Sequence, residues 1–288
     1  MIVDTHVHIW EVPPVAPVGP TAPSFKGRHD EPGRAETLLE EMDEHGIDVS
    51  IVVQDSGSTW DNGYVADSAA QWPDRLIAHG LLDPFAPDNA EQARYWMEER
   101  GVRGFRFHPM YYDEPSLNRP ENWPMWDVLA EHNAVVQVHM RPSQARQLSE
   151  VASAWGTIPF ILDHMSYPDM SDGPVFSSHR PIFELALHPN MYVKISDTAR
   201  QSGDEFPYPA IQKVIKRLID DFGAERSMWG TGYPGRELRT QHGWLPMDEE
   251  LRFVREGLDW LSNDERENLL GGTAAKVWGL DERPEHPV

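Results

Sequence analysis

The sequence predicts a single (β/α)8 barrel, and three observations lead there. Eight short apolar runs recur along the 288 residues, each followed by a stretch of helical periodicity. No Gly-rich turn follows the first run, which argues against an open dinucleotide-binding sheet. The apolar runs end in imidazole, guanidinium and carboxylate groups, as expected of a fold whose chemistry sits at the carboxyl ends of its strands.

The first run, Met1 to Trp10, places His6 and His8 one residue apart. Alternate residues of a strand share a face, so both imidazoles point one way while Val3, Val7 and Ile9 face the other way or the core. A Pro- and Gly-rich segment from Glu11 to Arg34 shows no periodicity and reads as a long loop over the barrel mouth. A helix over Ala35–His45 stops at Gly46, and Ile47–Val53 is the second strand.

The same alternation then repeats. Helices are expected over Tyr64–Trp72, Asn89–Arg100, Trp123–His132, Ser143–Trp155, Arg180–His188 and Pro209–Phe222. Strands are expected over Leu76–Leu82, Val102–Phe107, Val135–His139, Ile158–Leu162, Met191–Ile195 and Ser227–Trp229. Helices from Asp248 and from Asn263 finish the chain, with no second domain and no clear repeat.

Composition narrows the function classes. Forty-seven acidic against 25 basic residues give a formal charge of −22, which repels nucleic acid and anionic membrane surfaces. With no cysteine, disulfides, thiolate metal sites and cysteine nucleophiles are excluded, so any metal must use His and carboxylate. No signal peptide or apolar span is apparent, and the cytoplasm is the expected compartment. The expected partner is a small molecule, and a homo-oligomer is left open.

Polar residues at the strand ends carry the functional reading. They are His6 and His8 on the first strand, Arg106 and His108 on the fourth, His139 on the fifth and Asp163-His164 on the sixth. The seventh ends in Lys194 to Asp197 and the eighth in Trp229-Gly-Thr-Gly-Tyr233. His6, His8, His139 and His164, four histidines from three strands converging on one mouth, are hard to explain as scattered packing residues. His6, His8 and His139 can supply the three protein ligands of a catalytic divalent ion, with His164 nearby as acid, base or hydrogen-bond donor. Arg106 and Arg141 are the favoured grips for a substrate carboxylate. His108, Trp10 and Tyr233 are candidate pocket residues, as are Tyr111, Tyr112 and Tyr167.

The segments Asp4-Thr-His-Val-His-Ile-Trp10, Gly101-Val-Arg-Gly-Phe-Arg106, Val138-His139, Ile161 to Asp169, Asn190 to Ser196 and Trp229-Gly-Thr-Gly-Tyr-Pro234 appear in that order through nearly the whole chain. In these the sequence resembles the amidohydrolase superfamily, in the amidohydrolase-related branch of lactonases and decarboxylases. It is more similar to the lactonase group of pyrone dicarboxylate lactonase and fuconolactonase. The resemblance implies a barrel with one divalent metal, often zinc, although metal-free operation is known in the lactonase group. It also implies an aspartate after Trp-Gly-Ser/Thr on strand eight, touching the metal and moving protons, and here that position is Gly232.

Glycine offers no carboxylate. Three readings follow: a residue replaced to trap substrate, a natural variant relying on His164 or another group, or a binding relative without turnover. By strand alternation Asp163 is expected to face away from His164 and to be a poor substitute. Asp197 would need a bend to come in. The resulting expectation is a hydrolase opening a lactone or similar cyclic ester. A metal-dependent non-oxidative decarboxylase or dehydratase of an aromatic or unsaturated acid is the alternative.

Overall fold

A computed structural model of the chain describes residues 1–11, 33–55, 60–173, 175–232 and 245–280. Most of the expected mouth loop, residues 12–32, therefore lies outside the described residues, as does Tyr233. Eight parallel strands follow one another in sequence order around the sheet. They are β1 Val3–Val7, β2 Val49–Val53, β3 Leu76–Leu81, β4 Gly104–Phe107, β5 Val135–Val138, β6 Phe160–Leu162, β7 Met191–Ile195 and β8 Ser227–Trp229. The end of β8 returns to β1 through Thr5 Oγ1, which donates to the Trp229 carbonyl (2.5 Å), and the Gly232 N–H, which donates to the His6 carbonyl (2.8 Å). The ring is thus the (β/α)8 barrel that the sequence predicts.

The helices are where the periodicity puts them, two with the expected bounds and others, such as Asn89–Glu98 and Arg180–Glu184, shorter at their carboxyl ends. Helix α1, Ala35–His45, stops at Gly46, whose φ of 70° suits glycine. The helix Pro209–Phe222 buries Ile211, Val214, Ile215, Leu218, Ile219 and Phe222, a stripe at three- and four-residue spacing turned toward the strands. A short helix over Thr198–Ser202 was not expected, because five residues carry too little periodicity to register. Among the described residues no helix is long and apolar enough to cross a membrane.

Two apolar layers form, one on each face of the sheet. Outside, Val52, Phe105, Phe107, Val136, Val138, Phe160, Leu162, Val193 and Ile195 pack under the helices. Inside, at the amino ends, Val3, Val49, Ile51, Ile77, Val135, Ile161 and Met228 close over Ala274, Ala275 and Trp278 of the last helix. Alternation then dictates what stands above this floor: His79 two residues after Ile77, Gln137 after Val135 and Asp163 after Ile161. The Trp278 indole N–H donates to His79 Nε2 (2.9 Å), joining floor to polar layer. Gly104 makes room for this, since a Cβ there would stand 2.0 Å from the Val135 carbonyl oxygen and 2.5 Å from His79 Cε1.

Candidate active site

The mouth of the barrel holds a buried, charged hub that begins at Asp163. Its Oδ2 accepts from Arg106 Nε (2.6 Å) and its Oδ1 from Lys194 Nζ (2.8 Å), with His6 Nδ1 3.6 Å away. Asp163 and Lys194 are fully buried and Arg106 nearly so. Burial alone would raise the Asp163 carboxyl, but Lys194 and then Arg106 outweigh it and hold the group well below the usual carboxylate range. The Lys194 ammonium also donates to Gln137 Oε1 (2.6 Å) and meets His6 Nδ1 (3.0 Å). Burial pushes it down to about 8 against the opposing pull of Asp163.

Asp163 faces inward, contrary to the expectation that it would turn away from the site. The reason is local: β6 ends at Leu162, Asp163 keeps the inward row begun by Ile161, and His164 leaves the strand with φ 50°, ψ 38°. Strand alternation ceases to apply at that bend, so carboxylate and imidazole both reach the mouth. Residues 164 to 167 all have positive φ, a left-handed turn that presents His164 and Tyr167 on the same side. Asp197, with φ 58°, pairs instead with Arg200 on the short helix that follows.

His164 is held from two sides. Arg106 Nη2 lies 3.2 Å from its Nε2, and Ser196 Oγ lies 2.9 Å from its Nδ1. Guanidinium N–H groups only donate, so the Nε2 lone pair faces Arg106 and the ring proton sits on Nδ1, toward Ser196. His6 and His8 come together as their spacing suggests: their Nε2 atoms are 3.1 Å apart, and His8 Nδ1 lies 2.9 Å from the Val53 carbonyl. His139 stands next to His164 (ring centroids 5.6 Å), with Nε2 bonded to the Tyr167 hydroxyl (2.7 Å) and Nδ1 buried without a partner. His108 flanks His139 at 5.3 Å, its Nε2 likewise buried and unpartnered. Burial, aided by Arg106, keeps His6, His108, His139 and His164 well below the ordinary imidazole value and takes His8 to about 4. All five rings are neutral at pH 7.

Other candidates sit apart from this group. Arg141 is exposed, its backbone N–H donating to Gln144 Oε1. Trp10 is buried and packed across Gly33, where a Cβ would come within 2.7 Å of its ring. Gly232 lies at the mouth with φ 69°, and among the described residues a Cβ there would meet only His164 Cε1, at 3.9 Å. Lys194 and Ser196 were named with the end of strand seven but given no role, and Gln137 was not singled out at all. Their signal was present: Lys194 lies between Val193 and Ile195, and Gln137 between Val136 and Val138, each a polar residue in an inward row flanked by outward apolar ones.

The donor types suit a divalent ion. The His6 and His8 Nε2 atoms lie 3.1 Å apart, and ligand atoms of His6, Asp163 and His164 all lie within 4.8 Å of one another. Neutral imidazoles and an ionised carboxylate are the forms that bind metal.

Residues 3–280 match the family model described as Amidohydrolase, and the chain belongs to that family; it is a hydrolase-type enzyme. It is 25% identical to an L-fucono-1,5-lactonase of Burkholderia ambifaria over 292 residues, covering 97% of this chain and 96% of the other. It is 24% identical to a 4-sulfomuconolactone hydrolase of Hydrogenophaga intermedia, covering 96% and 88%. Among solved structures it is similar to a probable 2-pyrone-4,6-dicarboxylic acid hydrolase of Acinetobacter baumannii with citric acid bound (TM-score 0.79, 18% identity, 96% and 99% covered). An amidohydrolase of Burkholderia multivorans with bound zinc (TM-score 0.74, 20%, 97% and 99%) shares the fold. So does a 2,6-dihydroxybenzoate decarboxylase of Rhizobium (0.67, 16%, 97% and 99%).

Proposed function

We propose that this enzyme opens a lactone or similar cyclic ester of a small, carboxylate-bearing molecule. The observation that carries the reading is the pairing of Arg106 with His164 at the barrel mouth, a cation beside a neutral imidazole whose ring proton is fixed on the far nitrogen. Such a pair can stabilise the charge that develops on an ester carbonyl oxygen and take a proton from the attacking water. The relatives named as lactonase and lactone hydrolase support it.

In this mechanism Arg106, anchored through Nε to Asp163, turns its remaining N–H groups toward the substrate oxygen. His164 Nε2, released from Arg106, accepts the proton of the water that adds to the carbonyl, while Ser196 steadies the ring through Nδ1. His108 offers an unpartnered ring nitrogen to the rest of the ligand. A Cβ at Gly232 would stand 3.9 Å from His164 Cε1. A divalent ion, zinc in our reading, would be held by His6, His8 and His139, the last through its Nδ1 and only if drawn toward the other two, since the donors already gathered among the described residues are those of His6, Asp163 and His164. Asp163 is the weaker choice because both of its oxygens are already bonded to cations. When bound, the ion would polarise the ester carbonyl and acidify water.

The test is a panel of sugar-acid lactones and unsaturated dicarboxylate lactones, followed by acid release at constant pH, with and without added zinc. Wild-type ring opening should fall by about 10²- to 10⁴-fold in His164→Ala. The decarboxylase fold neighbours make carbon dioxide release from dihydroxybenzoates the necessary control. Carbon dioxide release without any ring opening, in both wild type and Gly232→Asp, would overturn the lactonase reading. Tight binding without turnover in both forms would leave a binding relative.

A further inference from the structure

We propose that Lys194 is a positioning residue that sets the tautomers of both strand-one histidines and thereby disfavours a metal ion at His6. The ammonium has three N–H groups and three neighbours: Asp163 Oδ1 at 2.8 Å, Gln137 Oε1 at 2.6 Å and His6 Nδ1 at 3.0 Å. The first two can only accept, so the third N–H is directed at His6 Nδ1, which must accept as well. A neutral imidazole that accepts at Nδ1 carries its proton on Nε2. That proton points at His8 Nε2, 3.1 Å away, and His8 in turn must place its own proton on Nδ1, where the Val53 carbonyl oxygen receives it at 2.9 Å. The hydrogen bonds run in one direction, from Lys194 through His6 and His8 to the Val53 carbonyl. All of these side chains except part-exposed His8 are fully buried, so no solvent competes for the ammonium or for His6.

The consequence concerns the nitrogen that a metal would need. His6 Nε2 is one of the two convergent donors on β1, yet in this tautomer it bears hydrogen and has no lone pair to give. Ligation requires the proton to move to Nδ1, where it would face Lys194. If the lysine were absent, Nδ1–H would find Asp163 Oδ1, 3.6 Å away, the carboxylate–imidazole arrangement that commonly orients a metal ligand. Lys194 thus occupies the place from which Asp163 would otherwise prepare His6 for an ion. This holds whichever reaction the enzyme performs.

The experiment uses the full-length, chelator-treated protein labelled with ¹⁵N in its histidines. Two-bond ¹H–¹⁵N spectra report which ring nitrogen carries the proton, and His6→Gln and His8→Gln identify the signals. The expected pattern is Nε2–H for His6 and Nδ1–H for His8, with His6 moving to Nδ1–H in Lys194→Met and staying at Nε2–H in Lys194→Gln, whose amide can still donate. Zinc affinity by chelator competition should tighten tenfold or more in Lys194→Met. A wild-type His6 signal with the proton on Nδ1 overturns the proposal without any variant, so a poorly folding substitution does not shield it. Unchanged or weaker zinc binding in a folded Lys194→Met overturns it too, since a lysine that merely braced the barrel would give that result.

Discussion

Asp163→Asn is the most informative single change, because it removes one buried negative charge from between two buried positive ones. In the wild type the carboxylate receives Arg106 Nε at 2.6 Å and Lys194 Nζ at 2.8 Å, with no solvent access to itself or to the lysine. Asparagine keeps the shape and one acceptor oxygen, so little packing is lost and the effect is electrostatic. Breaking a buried ion pair costs about 3 to 5 kcal/mol, and here one deletion strands two cations, so the upper half of that range is expected. For a domain of this size that corresponds to a fall in Tm of roughly 7 to 8 °C. Lys194→Met should cost less, since it leaves the Arg106–Asp163 pair intact. The double variant Asp163→Asn/Lys194→Met should recover part of the loss, one stranded cation having been removed. Urea and thermal unfolding of the four proteins close the cycle. A loss below about 1 kcal/mol for Asp163→Asn, or strictly additive losses in the double variant, would refute the view that this carboxylate balances the hub.

The remaining expectations are quicker to state. Burial holds His79 at about 3, against an ordinary 6.5, so the unfolded chain binds a proton over this interval that the folded chain refuses. Its contribution to stability is complete above 6.5 and is lost as pH falls toward 3; unfolding free energies at pH 4 to 6 should show a slope shallower by up to about 1.4 kcal/mol per pH unit in His79→Gln. Gly104→Ala forces a methyl group into the Val135 carbonyl and the His79 ring, and should destabilise by about 3 kcal/mol or leave no soluble protein, as read by expression and thermal shift. Gly232→Asp meets no backbone among the described residues and takes a left-handed φ that Asp tolerates, so it should fold with a loss of only about 1 kcal/mol, whereas Gly232→Val should lose more by the same assay.

The barrel was legible because its strands are short, apolar and regularly spaced, and because Gly46 marks where the first helix stops. The pairing of His6 with His8 was legible too, since alternation within one strand needs no tertiary knowledge. Legibility failed at the point where β6 ends. Nothing local in Asp163-His164-Met165-Ser166-Tyr167 announces four successive left-handed residues, none of them glycine, and the conformation is imposed by what surrounds the turn. The same dependence on distant neighbours hid Lys194. A lysine in an apolar strand is unremarkable until Asp163, Gln137 and His6, 31 to 188 positions away, are seen to converge on its ammonium.

The hydrogen bond from Trp278 to His79 has a consequence for anyone who would rebuild this protein. His79 touches Gln137, Gln137 touches Lys194 and Lys194 touches His6, so an indole in the last helix stands four side-chain contacts beneath the reactive mouth. Redesigning the underside of the cylinder and redesigning its chemistry are therefore one problem. A grafted C-terminal helix that fills the same volume without an N–H at that point would free His79 to change tautomer, and the disturbance would arrive at β1 from below.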